Sequence, residues 1–211
     1  VGQYGGTWRR AFRGVSDFHA YGRVNYEPIL RWPRDPRDPV IPGIASAWEF
    51  SEDGKVLTLF LRKGIKWSDG EPFTTDDILF WWEYIENDPE LSINPHSEYI
   101  VNGKPMELEK VDDFTIRLKY DGPNGLIVRM LAFHGNQWPL NFERFGFFAP
   151  KHYLTQFHPN YVAKDELEKM AQAEQFALSS NAQLAVTRLD QLASFSRRTG
   201  QLFFSPNPAP C

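Results

Sequence analysis

Two pairs of neighbouring aspartates are the residues whose type is best suited to acid–base chemistry. They are Asp76–Asp77 and Asp112–Asp113. Neighbours on a helix or a strand do not face one another, so neither pair supplies two opposed carboxylates. The first pair suits the start of a helix and the second suits a turn. The chain also has no Gly-x-Ser-x-Gly, His-Glu-x-x-His or phosphate-loop pattern, and we expect that it is not an enzyme.

Histidine and cysteine spacing gives little support for a metal site. His152 and His158 are six residues apart, a spacing that does not align two side chains on one helical face. Cys211 is the only cysteine, so neither an internal disulfide nor a cysteine-based metal site can form. We therefore expect no metal and no other cofactor.

Charge and hydropathy argue against two classes of partner. The 211 residues carry a formal net charge of -4 and show no basic face, which argues against nucleic acid. No apolar run approaches the roughly 18 residues of a membrane span. Aromatic residues make up 15% of the chain, and this composition suits either a ligand-binding cleft or a strand-rich core.

The clearest element in the pattern is a β-hairpin. Ala47–Phe50 and Val56–Arg62 are predicted strands, and Asp53-Gly54 supplies the positive-φ position of the turn between them. Val56–Arg62 is apolar on both faces, which predicts a central and buried strand.

A helix is predicted directly after this hairpin. Thr74 is a good N-cap, and Asp77 three residues later completes a capping box. The pattern carries the helix to about Asn87. Asn102-Gly103 then marks a second hairpin turn within a strand meander. Further strands are predicted at 99–101, 106–111 and 115–120, and further helices at 124–133, 150–157 and 161–173.

A long segment of this pattern matches a known signature. Residues 42–54 contain an Ala-x-x-Trp-Glu-like strand and a Glu-Asp-Gly turn, and residues 57–84 are LTLFLRKGIKWSDGEPFTTDDILFWWEY. The Tyr-Gly-Gly-Thr at 4–7 and the Val-Asp-Asp-Phe-Thr at 111–115 also match. From residue 2 to about residue 170 the chain resembles family 5 of the bacterial extracellular solute-binding proteins, the peptide- and nickel-binding components of ABC importers.

Most residues of the signature have an architectural interpretation. We expect Trp67, Asp69 and Gly70 to set a turn and its packing. Trp81 and Trp82 are expected to pack on the sheet rather than to contact a ligand.

The resemblance implies a mixed α/β (α+β) fold. We expect the first-lobe portion of a type II periplasmic-binding-protein-like fold, with the second lobe absent. Residues 1–44 and 126–174 would form the main-lobe segments and residues 45–125 a small β-rich subdomain. Residues 175–211 are an atypical tail of uncertain structure, with one helix predicted near 181–196 and a loop at the end.

Two segments are the candidate ligand-binding sites. In this family the first lobe contributes the loop after its first strand and the segment that returns from the small subdomain, which correspond to residues 16–21 and 133–138. Both mix aromatic and hydrogen-bonding groups, as a ligand pocket does. The alternative is that they are ordinary loops whose aromatic rings fold back on the core. The residues expected to contact ligand are Asp17, Phe18, His19, Tyr21, Asn136, Gln137 and Trp138, with the Asp17 carboxylate pairing with a ligand amine.

The implied function is capture and delivery of a solute. The resemblance predicts binding of an oligopeptide-like ligand outside the cytoplasmic membrane, in the periplasm or extracellular space, and delivery to an ABC permease. Sugar oligomers and nickel chelates are the next ligand classes. The alternative is a non-catalytic interaction or scaffold module derived from the lobe. The sequence from Val1 onward contains no signal-peptide pattern, and self-association through the exposed lobe face is a further expectation.

Overall fold

The computed structural model describes residues 28–67, 69–88, 96–137, 147–173 and 204–205. Its strands are β1 (Leu30–Arg31), β2 (Ile41–Pro42), β3 (Ala45–Phe50), β4 (Val56–Leu61), β5 (Lys66–Trp67), β6 (Ile100–Val101), β7 (Lys104–Pro105), β8 (Glu107–Asp112), β9 (Thr115–Lys119) and β10 (Phe204–Ser205). Its α-helices are α1 (Thr75–Trp81), α2 (Ile127–Gln137), α3 (Lys151–Leu154) and α4 (Lys164–Ala173), and a π-helix (Trp82–Glu86) continues α1. The mixed helix and strand content confirms the predicted fold class.

A four-stranded antiparallel sheet in the order β3-β4-β9-β8 forms the centre of the fold. Leu59 of β4 lies between Trp48 and Ile116 on the neighbouring strands, and Leu57 lies beside Leu118. The side chains of Leu57, Leu59, Ile116 and Leu118 are fully buried, and each such burial contributes roughly 1.5–3 kcal/mol relative to exposure. The prediction of a central, buried strand over Val56–Arg62 is confirmed.

Both predicted hairpin turns are present. Gly54 has a φ of 68°, and the Asp53 carboxylate accepts hydrogen bonds from Ser51 Oγ and the Lys55 amide. Asn102 and Gly103 also have positive φ values, 53° and 76°, as a two-residue hairpin turn requires.

The meander prediction was wrong about which strand follows the second turn. Because the two-residue turn fixes the register at Val101 opposite Lys104, β6 pairs with β7 in a separate two-stranded sheet. Strand β8 pairs instead with β9.

Helix α1 begins as the sequence predicts. Thr74 Oγ1 accepts from the Asp76 amide, and Asp77 Oδ2 accepts from the Thr74 amide, which completes the capping box. The helical segment ends at Glu86 with Asn87 as its C-cap, close to the predicted end, but its last five residues form a π-helix that the apolar spacing did not indicate.

Helix α2 extends four residues beyond its predicted end at 133. Its buried face is formed by Ile127, Val128, Leu131 and Ala132. The residues after this face include Gly135, but a single glycine costs only about 1 kcal/mol and does not by itself end a helix. The segment expected to be a loop from 133 to 138 therefore has helical backbone as far as Gln137.

The two C-terminal helices and one strand of the tail complete the description. Helix α3 and the 3-10 turn Thr155–Phe157 occupy the predicted segment 150–157, and α4 occupies most of 161–173. The predicted helix near 181–196 lies outside the described residues. Phe204–Ser205, expected to be loop, pairs antiparallel with β5. The Trp67 amide donates to the Glu71 carbonyl on one edge of β5. Because neighbouring residues of a strand direct their backbone groups to opposite edges, Lys66 can pair with β10 on the other edge.

One apolar core joins residues from both of the predicted lobe units. It includes Ile29 and Leu30 before the sheet, the buried leucines of the sheet, and Leu131 and Phe147 after it. The division of the chain at 45 and 125 stays a prediction.

Candidate functional site

The structure describes only the helical part of the two candidate ligand-binding segments. Asn136 and Gln137 are the last two residues of α2 by backbone, and their side chains lie outside the description. Asp17, Phe18, His19, Tyr21 and Trp138 also lie outside the described residues. Their contact with a ligand stays a prediction.

The described residues show how the helix that carries Asn136 and Gln137 is held in place. Helix α2, which carries Asn136 and Gln137, packs against β1, the first described strand after residues 16–21. The contact is apolar, because Leu30 of β1 and Leu131 of α2 are both buried.

A cation–π contact adds to this anchor. The Arg129 guanidinium of α2 lies 5.7 Å from the ring centre of Trp32, and Arg129 Nη1 donates to the Pro36 carbonyl at 3.4 Å. Such contacts contribute about 0.5–1 kcal/mol at exposed sites. Arg129 therefore ties α2 to the proline-rich connection that follows β1.

A buried carboxylate at the start of α1 joins three parts of the signature. Asp77 is 3% exposed. Its Oδ2 accepts from the Thr74 amide and its Oδ1 accepts from the Lys151 amide at the start of α3, each at 3.0 Å. Burial raises the pKa of Asp77, although hydrogen bonds from Thr74, Lys151 and Trp67 oppose this by favouring the carboxylate. We call these contacts the Asp77 hub.

The turn at Asp69-Gly70 is attached to the same place. Gly70 has a φ of 97°, and Asp69 Oδ1 accepts from the Glu71 amide. Asp69 Oδ2 lies 2.7 Å from His152 Nε2 on α3. Although burial opposes ionisation, hydrogen bonds from His152 and the Glu71 backbone lower the pKa of Asp69. Trp67 is buried beside this turn. The predicted architectural role of Trp67, Asp69 and Gly70 is therefore confirmed.

The two tryptophans of the signature are also core residues. Trp81 and Trp82 are 1% and 7% exposed, and both contact the ring of Tyr99 at centroid distances of 5.6 and 5.7 Å. Trp81 additionally packs on Phe147. These contacts place both rings in the core.

A second buried carboxylate lies at the end of the π-helix, where sequence reasoning did not place one. Glu86 is 1% exposed, and its Oε1 accepts from the backbone amide of His96 and lies 2.9 Å from His96 Nδ1. This contact joins the end of the π-helix to the start of the chain that leads to β6. A glutamate followed ten residues later by a histidine has no recognised spacing signal, so the sequence alone could not reveal the pair.

A surface groove of about 390 Å³ lies at the end of the sheet, on residues that are not among the predicted ligand contacts. Its charged groups already have partners within the chain, because Asp113 pairs with Lys110 and the Asp112 carboxylate accepts from the Phe114 amide. In the described part of the chain, no group of three or more acidic, histidine or cysteine side chains is arranged to hold a metal ion. None of the described helices is long and apolar enough to cross a bilayer.

Comparison with known proteins identifies the class to which this fold belongs. The family described as bacterial extracellular solute-binding proteins, family 5, matches residues 39–175, a range that includes the sheet, the Asp77 hub and helices α1 to α4. The chain therefore belongs to this family of solute-binding proteins.

Individual relatives agree with the family match and differ in the solute that they are named for. The chain is 33% identical over 139 residues to the periplasmic alpha-galactoside-binding protein of Rhizobium meliloti, which covers 64% of this chain and 18% of that protein. It is 35% identical over 106 residues to the dipeptide-binding protein of Escherichia coli, which covers 44% of this chain and 20% of that protein.

A solved oligopeptide-binding protein OppA aligns with a TM-score of 0.67 at 35% identity, over 80% of this chain and 24% of the other. The chain thus spans about a fifth to a quarter of the length of these relatives.

Proposed function

We propose that this chain is part of the solute-binding component of an ABC importer, which captures an oligopeptide-like ligand and delivers it to a membrane permease. The observation that carries this proposal is the family match over residues 39–175, together with the relatives named as dipeptide- and oligopeptide-binding proteins. We infer a carrier rather than an enzyme, acting in the periplasm or outside the cell, since several relatives are named periplasmic.

The packing of α2 against β1 supports a binding role for the candidate segment that α2 carries. Ligand recognition needs side chains held in place before the ligand arrives, because every group ordered on binding costs affinity. The burial of Leu30 on β1 and Leu131 on α2, together with the Arg129 contacts, supplies that rigidity for the helix that carries Asn136 and Gln137. Closure of a second lobe over this surface is the change that a permease would recognise.

An oligosaccharide is the second candidate ligand, favoured by the relative named as an alpha-galactoside-binding protein. Aromatic rings beside amide groups suit either class, since rings stack on a sugar or a peptide side chain and amides bond to hydroxyl or peptide groups. The two classes differ in charge. A peptide presents an amine for Asp17, whereas a neutral sugar does not.

We expect substitutions in the two candidate segments to weaken binding. Trp138→Ala should lower affinity about 30-fold or more, because a buried aromatic anchor contributes roughly 2 kcal/mol or more. Asp17→Asn should weaken a peptide with a free amine about tenfold while leaving the affinity for the α-galactoside raffinose unchanged. Isothermal titration with a tripeptide library and with raffinose measures both effects.

Phe50→Ala is the matched control for these titrations. Phe50 is a 39% exposed aromatic side chain on β3 and is not in either candidate segment, so its removal should not change affinity. Equal affinity of the unaltered chain, Trp138→Ala and Asp17→Asn for the same ligand would reject these segments as the site.

A further inference from the structure

A histidine outside the candidate ligand segments is buried in an aromatic cluster. His158 is 3% exposed. Its ring centre lies 4.5 Å from that of Tyr84, 5.9 Å from Tyr161 and 6.0 Å from Phe80. Phe80 belongs to α1 and Tyr84 to the π-helix. The ring of His158 therefore packs the turn after α3 against these two helical segments.

The hydrogen bonds of this ring define its protonation state. The Asn160 amide donates to His158 Nδ1 at 3.2 Å, so Nδ1 is an acceptor and the ring is the neutral tautomer with its proton on Nε2. Nε2 is buried and has no hydrogen-bond partner among the residues that the structure describes. A second proton would place an N–H at Nδ1 opposite the Asn160 N–H, which replaces a hydrogen bond with two facing donors.

The surrounding charges do not offset the cost of adding a second proton to the His158 ring. Glu83 of the π-helix and Asp88 just after it favour the charged ring, but burial outweighs them and lowers the pKa of His158. The other titratable groups packed on the ring are the phenols of Tyr84 and Tyr161. A hydrogen bond with Tyr161 raises the pKa of Tyr84 to about 12, so Tyr84 stays neutral where a histidine titrates.

The turn around His158 depends on the same residue through its backbone. The His158 carbonyl accepts from the Tyr161 and Val162 amides at 2.9 and 3.1 Å. Helix α4 follows directly, with Leu167 fully buried. Displacement of the ring would therefore release the turn and loosen the start of α4.

We propose that His158 is an acid-sensitive latch. Its neutral ring holds the turn formed by residues 155–162 against α1 and the π-helix, and the turn opens when the ring gains a proton. Proton linkage determines how opening of the turn depends on pH. The open turn binds a proton more readily than the closed turn, so closure is fully favoured above the ordinary histidine value of about 6.5. Below that value the opening equilibrium should rise about tenfold per pH unit until the buried ring itself titrates.

Hydrogen exchange of single amides tests the latch. In the unaltered chain, the protection of the Tyr161 and Val162 amides should fall about tenfold per unit between about pH 6.5 and pH 5, after correction for the intrinsic exchange rate. The Leu118 amide, in the central strand β9, should keep its protection. His158→Phe keeps an aromatic ring but cannot titrate, and the protection of the two turn amides should then not depend on pH.

A second histidine provides the control. His152 lies on α3 beside Asp69, and His152→Gln should leave the pH dependence at Tyr161 and Val162 intact. Protection that does not change with pH in the unaltered chain, or that changes equally in His158→Phe, overturns the latch. If His158→Phe does not fold, the NMR titration of the His158 ring decides, and a ring that titrates at or above about 6.5 also overturns it.

Discussion

Asp77→Ala should lower the free energy of unfolding by roughly 3–5 kcal/mol. Asp77 accepts hydrogen bonds from the Thr74 amide and the Lys151 amide. Its removal leaves buried donors without an acceptor, and each costs about 1–3 kcal/mol, while the lost helix cap adds to this. Urea unfolding followed by tryptophan fluorescence measures the change, because Trp67 and Trp81 report on the core beside the hub.

Asp76→Ala is the matched control for Asp77→Ala. Asp76 is partly exposed and pairs with Lys110 at 2.9 Å and Lys151 at 3.5 Å. Surface pairs of this kind contribute about 0–1 kcal/mol, so Asp76→Ala should be nearly silent. Equal losses of unfolding free energy in Asp77→Ala and Asp76→Ala would show that the Asp77 hub does not stabilise the contact between α1 and α3.

Gly43→Ala should cost at least about 2 kcal/mol and displace β1. A methyl group at Gly43 would meet the Pro28 carbonyl oxygen at 2.3 Å and the Ile29 carbonyl oxygen at 3.0 Å. These oxygens accept from the Ile44 and Ala45 amides, so the backbone cannot move away without breaking the bonds that hold β1. Thermal and urea unfolding measure the stability.

A glycine in open space provides the matching control. A methyl group at Gly125 would have no described heavy atom within 4 Å apart from those of its own chain neighbours, so Gly125→Ala should change stability by less than about 1 kcal/mol. Because β1 also packs against α2, Gly43→Ala should weaken ligand binding as well, whereas Gly125→Ala should not. Unchanged stability in Gly43→Ala would contradict the close approach of β1 at this position.

The elements with strong local signals could be predicted from sequence, and the reason is physical. The Asp53-Gly54 turn and the Thr74 capping box are each determined by residues within four positions of one another. Such local contacts leave a residue-type pattern. The contacts of Asp77 with the Lys151 amide and of Glu86 with His96 could not be predicted, because no local spacing pattern links these residues and a backbone donor has no residue type.

Two differences show where local patterns mislead. The strand predicted at Tyr99–Val101 pairs with a two-residue strand that is too short to give a periodic signal. The predicted end of helix α2 at residue 133 differs from its observed end at Gln137, because the backbone stays helical beyond the last apolar residue and one glycine costs only about 1 kcal/mol. That difference changes the site, since Asn136 and Gln137 lie on a helix end rather than on a loop.

The most direct test of a solute-binding role is to find what the protein carries when it is purified without denaturation. Native mass spectrometry of the chain, followed by release and sequencing of any bound molecule, measures this. We predict bound peptides of a few residues, which are absent from Trp138→Ala and retained by Phe50→Ala. A chain that is consistently empty, and that then binds neither a tripeptide library nor raffinose, would contradict the proposed function.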